Sequence, residues 1–357
     1  MNTSALYEAC RTGDIHTVQQ LLSTLSIYEI NHVEPNGSTC LHAAASSNHS
    51  QIVKLLLDSG VIRSILDKDG HTAMDVAATE EIKKLFPRSF AAAQARFLTD
   101  ISSEQTFEWT CHENARYGWW FKCCIENEDV IVAVDRIIED TRFSDTASTH
   151  KIEYLLENAR ETRDPKWLIQ AYSSEIGLYQ VINKAFAQTA SNIGFDSTND
   201  FRALAGVFSR HDVLKQYRYV GKCYRGMKLS IDDFQKNYKV GEILLIKPFM
   251  STSKLRHIAE QFATSSSTVD SQFLSVLFIF AIPEFTLQFR DNVALDISCI
   301  SEYPHEEEVL ILPYTSLVIQ AINHLPLGLI EVEFGWYSFL RDSKSSKTSL
   351  YEQPSLM

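Results

Sequence analysis

Three short stretches carry side chains whose types and spacing could do chemistry. The first is Tyr224-Arg225-Gly226 inside the run CYRGMKL. An Arg beside a Gly sets a fixed cation next to accessible backbone, which suits a pyrophosphate. The second is Phe249-Met250-Ser251-Thr252-Ser253, an apolar strand running into hydroxyl residues. Such hydroxyls hold a ribose or phosphate, orient a carboxylate, or cap the helix that starts near Lys254. Phe262 follows on that helix in HIAEQFA, a position where Phe ordinarily serves the core. The third is His305-Glu306-Glu307-Glu308 followed by VLILP. In an extended chain residues i and i+2 share a face, so Glu306 and Glu308 point one way and Glu307 the other. Two carboxylates beside an apolar strand are costly without partners or a task. A solvated acidic turn is the plainer alternative.

The elements that must position these residues fall into three parts. At the start, ALYEACRTGD, CLHAAASSNH and AMDVAATEE recur near positions 5, 40 and 73. Each is followed by a second apolar helix pattern, VQQLL, IVKLLL and IKKLF. Asn36-Gly37 and Asp69-Gly70 precede the later two, and Gly there supplies the positive φ a tight turn requires. The period and text resemble ankyrin repeats over residues 4–88, one full repeat between two partial ones. The small residues Ala43, Ala44, Ala45, Ala77 and Ala78 would let helices stack closely. So short an array should lean on the next domain, because repeat arrays bury a continuous core only in numbers.

Residues 89–164 read as a connecting helical region, with VIVAVDRII at 130–138 open to strand or helix. Ser148 to Arg160 carries Ile152, Leu155, Leu156 and Ala159 on one stripe. Asp164-Pro165 marks a helix start, and Tyr172, Ile176, Tyr179, Ile182 and Phe186 line one face beyond it. From about 219 the texture turns to short strands: CYRGMKL, EILLIKPFMS, FLSVLFIFAI, FTLQFR, VALDIS, EEVLILP, LVIQAI and IEVEFGW. The tail 341–357 is polar and expected to be disordered. Helices first and then many strands make an α+β domain.

Composition narrows the function. The 357 residues include 33 Lys and Arg against 45 Asp and Glu, a net charge of −12. Such a chain is a poor partner for nucleic acid or anionic lipid. The longest apolar run, Phe273 to Pro283, is too short to span a bilayer, and the first residues lack a secretory pattern. Seven scattered cysteines form neither a disulfide framework nor a zinc spacing. These features point to an intracellular, cytoplasmic protein. Glycine-rich dinucleotide and P-loop motifs are absent from the sequence.

Arg-Gly on one strand, Ser-Thr-Ser on the next and Glu-x-Glu entering a later one together resemble the Arg-Ser-Glu class of arginine-specific mono-ADP-ribosyltransferases. ALDISCISEYPHEEEVLILP, residues 294–313, is the closest stretch, and AYSSEIGLYQVINKAF is similar to the helix that precedes that family's core. The resemblance covers about 165–337. It implies a split mixed β-sheet domain, placed at 165–340, that uses NAD as substrate, with NADP left open and no metal. It implies that Arg225 and Gly226 hold NAD, that Ser251 orients the carboxylate or the ribose, and that Phe262 stacks nicotinamide. Glu308 would be the catalytic carboxylate. Glu306 would engage the acceptor, and Tyr303 in the preceding loop would help dock it. A Glu at the first position goes with arginine acceptors in that family. The ankyrin segment would bind a protein target or regulator. The leading expectation is therefore NAD-dependent transfer of ADP-ribose to protein arginine. An NAD glycohydrolase, or an ankyrin scaffold with an inactive transferase domain, stand as alternatives.

Overall fold

The computed structural model describes residues 3–88, 109–110, 129–139, 147–174, 177–188, 201–264 and 272–337. The readings of Ile176 and of the tail fall outside these residues.

The N-terminal segment stacks short, firmly capped helices. Ala5–Thr12 is started by the Ser4 hydroxyl accepting from the Tyr7 N–H and ended by Gly13 at φ 83°. Asp14 caps Ile15–Leu22 in the same way. Cys40–Ser46 and Ser50–Asp58 form the central hairpin. Gly37 and Gly70 both adopt φ 82°, as the two turns require. Ala43, Ala44 and Ala45 are buried in the shared core. The His42 ring links successive repeats: its Nδ1 accepts from Thr39, and its Nε2 donates to the His71 carbonyl. Burial lowers the His42 pKa, consistent with this neutral tautomer. The third repeat is reduced. AMDVAATEE forms turns, with helix only at Glu80–Lys83; Ala77 is half-buried and Ala78 is exposed.

A helical lobe follows. Val130–Ile138 is helical, begun by Asp129, which settles the segment left open by its sequence. Ile152, Leu155, Leu156 and Ala159 of Ala147–Thr162 are all buried. Pro165 introduces Lys166–Ser173. Tyr172 and Phe186 do not share one helix: the first helix ends at Ser174, and a second runs Leu178–Gln188. All these helices share one core with Arg202–Arg210, with Phe249 and with the sheet residues Leu295 and Leu310. The helices expected to be a connector are therefore part of the second domain's core.

Among the described residues the sheet has nine strands: β1 (Trp109–Thr110), β2 (Gly221–Ser230), β3 (Ile243–Ile246), β4 (Met250–Ser253), β5 (Phe273–Ile282), β6 (Ala294–Asp296), β7 (Glu308–Ile311), β8 (Thr315–His324) and β9 (Leu329–Trp336). Their order is β1-β3-β8-β9-β5-β2-β4-β7-β6. β5 and β9 run parallel, and the other pairs are antiparallel. Two expectations change here. EILLIKPFMS is two strands, β3 and β4, and FTLQFR is a 3-10 turn at Glu284–Gln288. The edge strand β1 also comes from the segment expected to be only helical, pairing with Leu245 and Ile246.

The sheet is divided where β2 meets β4. β2 pairs with β5 along all ten residues, but with β4 only at Tyr224↔Ser253. The chain crosses that division four times, between β3 and β4, β4 and β5, β5 and β6, and β7 and β8. It is thus a split mixed sheet, and the residues of interest stand on both sides of the split.

Candidate active site

Arg225 lies on β2 at one side of the split, and Ser251 on β4 at the other. The Arg225 Nη1 donates to the Ser251 carbonyl oxygen at 2.9 Å, bridging the two halves. Both residues are buried, and Arg225 is only 2% exposed. A buried guanidinium held this way is a rigid cation, since its remaining donors have fixed directions. Ser253, two residues on, pairs in register with Glu308 of β7. Its hydroxyl donates to the Glu306 carbonyl at 2.8 Å and accepts from the Leu255 N–H. The Ser253 hydroxyl thus both leads into the next helix and anchors the acidic turn through a backbone carbonyl.

Gly226 has a packing duty. A Cβ there would lie 1.8 Å from the Ala259 carbonyl oxygen. Helix Arg256–Thr264 therefore crosses β2 in direct backbone contact. Phe262 on that helix is 7% exposed and groups with Ile258, apart from the main cores.

The acidic motif reaches its geometry by another route than strand alternation. Glu306 ends a 3-10 turn, Pro304–Glu306, and Glu307 adopts φ 47°, ψ 47°. Glu308 alone of the three is in a strand. The left-handed residue between them turns Glu307 out to Lys254, 2.5 Å away, while Glu306 and Glu308 are buried. Glu306 and Glu308 are both buried and Glu307 is not, but the turn, and not the strand alternation expected for them, separates the three.

Glu306 meets a residue that the motif reading missed. Arg88, just past the last repeat, places its Nε 3.0 Å from the Glu306 Oε1, with side chains 1% and 8% exposed. Its Nη2 donates to the Ser173 carbonyl at 2.7 Å. Its guanidinium lies 3.9 Å from the centre of the Tyr303 ring. Tyr303 is fully buried beneath it, with Arg63 5.0 Å above the same ring. In this arrangement Tyr303 does not face an incoming target.

The same loop is tied to the repeats through Glu302. Its carboxylate accepts from Lys151 Nζ at 2.6 Å and from the Ser64 hydroxyl at 2.6 Å. Its N–H donates to the Ser173 hydroxyl. Burial drives the Glu302 pKa up, but the Lys151 charge and the hydrogen bonds from Lys151 and Ser64 outweigh it, leaving the pKa below the ordinary value. Burial, reinforced by Arg88 and Arg63, pushes His305 down to about 4. His305 is therefore neutral at neutral pH and adds no further cation. A cavity of about 230 Å³ separates Arg63, Met74 and Phe86 of the repeats from Pro304, His305 and Glu307 of the loop.

Among the described residues no cluster of three or more His, Cys, Asp or Glu could hold a metal ion. No described helix is long and apolar enough to cross a membrane.

Comparison with known proteins matches both parts. Residues 160–324 fit the family model for NAD:arginine ADP-ribosyltransferase, and residues 6–86 that for ankyrin repeats, in three copies. The chain thus joins an ankyrin-repeat segment to a domain of the ADP-ribosyltransferase fold. Mouse ankyrin repeat domain-containing protein 40 is 42% identical over 81 residues, 22% of this chain and 22% of that protein. Human Notch-regulated ankyrin repeat-containing protein is 33% identical over 73 residues, 20% of this chain and 64% of that protein. The chain therefore spans about a fifth of the first relative's length and under two thirds of the second's. Among solved structures, the ADP-ribosyltransferase HopU1 of Pseudomonas syringae aligns over 63% of this chain and 98% of its own, with 16% identity and a TM-score of 0.39. Vis toxin, an ADP-ribosyltransferase from Vibrio splendidus, aligns over 58% and 91%, with 20% identity and a TM-score of 0.37.

Proposed function

We propose that this protein transfers ADP-ribose from NAD to an arginine side chain of a protein, releasing nicotinamide. The observation that carries the reading is the Arg225–Ser251 contact across the split, with Glu308 in register beside Ser253. Arg225 would hold the NAD phosphates, with Gly226 beside it and Phe262 against nicotinamide. Ser251 would orient the ribose or the carboxylate.

In the reaction the bond between nicotinamide and ribose breaks, and nicotinamide leaves with the electron pair. Positive charge builds on the ribose. A fixed, water-excluded carboxylate such as Glu308 stabilises that charge through the ribose hydroxyl. An arginine nitrogen then forms the new bond to the same carbon. A guanidinium is protonated at all ordinary pH, with a pKa above about 12. Glu306 would orient it and take the proton released on attack. NADP could replace NAD only if its extra phosphate is accommodated. The ankyrin repeats would present the protein target, and a cytoplasmic setting fits the acidic, thiol-bearing chain.

The test is incubation of the purified chain with NAD and agmatine, reading nicotinamide and ADP-ribosyl-agmatine by mass. Formation of the agmatine adduct is expected. Nicotinamide with free ADP-ribose alone would replace transfer with hydrolysis, and no nicotinamide from folded protein would remove the enzymatic reading.

A further inference from the structure

Within the transferase reading, the acceptor side of the site already contains a guanidinium. Arg88 is held by a carboxylate, a carbonyl and an aromatic face, those of Glu306, Ser173 and Tyr303. A planar cation with its donors in a fixed fork is the group such a set recognises: carboxylate and carbonyl in the plane, ring on the face. A lysine ammonium could satisfy the charge but not the stacking.

We infer that Arg88 is a built-in occupant of the acceptor-arginine seat, and that an incoming arginine must displace it. Arg88 follows Phe86, which packs in the repeat core. The array therefore sets where this guanidinium sits. A cavity of about 230 Å³ lies between the repeats and the acidic loop, lined by Phe86, two residues before Arg88, and by His305 and Glu307, on either side of Glu306. Water occupies about 30 Å³ per molecule, so the space is several waters large. The repeats and the loop are thus incompletely packed at the chain neighbours of Arg88 and Glu306. The Ser64–Glu302 hydrogen bond holds the loop to the repeats, and Lys151 of the helical lobe binds both Glu302 and the Val61 carbonyl, independently of Arg88. Release of Arg88 need not detach the domains. A partner that shifts the last repeat would open the seat, coupling ankyrin binding to acceptor access.

The experiment is calorimetric titration of the full chain with agmatine in the absence of NAD. A site occupied by an internal competitor shows an apparent affinity lowered by the fraction of time it is free. Arg88→Ala should therefore bind agmatine at least about tenfold more tightly than wild type. Adding Glu306→Gln to that variant should abolish the gain. Arg88→Gln, closer in size and better suited to folding, should bind more tightly than wild type in the same direction. If either folded variant binds agmatine as wild type does, or if the gain survives Glu306→Gln, the inference fails. The readout is binding without NAD, so failure of the transferase reading, seen as absent NAD cleavage, is a separate result.

Discussion

The two sides of the site are built from different material. Arg225, Ser251 and Glu308 lie on β2, β4 and β7 and are fixed by ladder register and by one bond across the split. Glu306 and Tyr303 lie on a turn whose partners come from elsewhere: Arg88 and Ser64 from the repeats and their end, Lys151 and Ser173 from the helical lobe. A site made within one sheet is rigid by pairing. One made between modules depends on how they dock. Cleavage of NAD should therefore be intrinsic to the sheet, whereas choice of and access for the acceptor should answer to the array.

The largest effect is expected inside the sheet. Glu308→Gln keeps the shape and removes the charge. Nicotinamide release should fall by about 10³-fold or more, with or without agmatine, as for loss of a preorganised electrostatic group. Glu306→Ala should instead cut agmatine transfer at least about tenfold more than it cuts hydrolysis in water. Equal losses in the two reactions would erase the distinction between the sides.

Next comes the Lys151–Glu302 pair, which ties the acceptor loop to the helical lobe. Lys151→Met strands the fully buried Glu302 carboxylate, a change that ordinarily costs about 3–5 kcal/mol. A thermal melt should show a large drop, and Lys151→Met with Glu302→Leu should recover most of it. No drop would mean that this contact does not hold the loop to the lobe. Gly226→Ala is a smaller insult within the sheet. Its Cβ would meet the Ala259 carbonyl at 1.8 Å, so the helix must move, at about 1–3 kcal/mol. The melt should report it, with KM for NAD rising as the helix shifts.

The mildest effect is on acidification. Glu302 has a folded pKa below its ordinary 4.5. Its contribution is present above that value and lost as pH falls through the folded pKa. His305 is pushed from 6.5 to about 4. The folded state thus binds fewer protons than the unfolded one between those values, and stability should decline from pH 6.5 toward 4. Both groups sit on the acceptor loop, so transfer to agmatine should weaken before hydrolysis does. A pH series of the two products checks this.

Much of the site was legible because it is written in short motifs whose spacing follows strand and turn chemistry. The repeat period, the Asn-Gly and Asp-Gly turns and the stripe from Ile152 to Ala159 are local patterns, and each appears in the fold. Glu306 and Glu308 were singled out together, although the alternation argument used for them applies only to extended chain and the turn at Glu307 replaces it. FTLQFR misled because aromatic and β-branched residues also suit a 3-10 turn that packs Phe285 near Phe289. Arg88, Ser173 and Lys151 were not legible. Each acts on a residue more than eighty positions away, and an isolated Arg after Pro, or a Lys on a helix, carries no local sign of burial.

The most direct measurement is the product ratio at sub-saturating agmatine: ADP-ribosyl-agmatine over free ADP-ribose, for wild type and Arg88→Ala under the same NAD. A higher share of agmatine adduct in Arg88→Ala is expected, because only the acceptor side is relieved. Equal shares in two folded, NAD-cleaving proteins would contradict the division between a sheet-built NAD side and an acceptor side governed by the repeats.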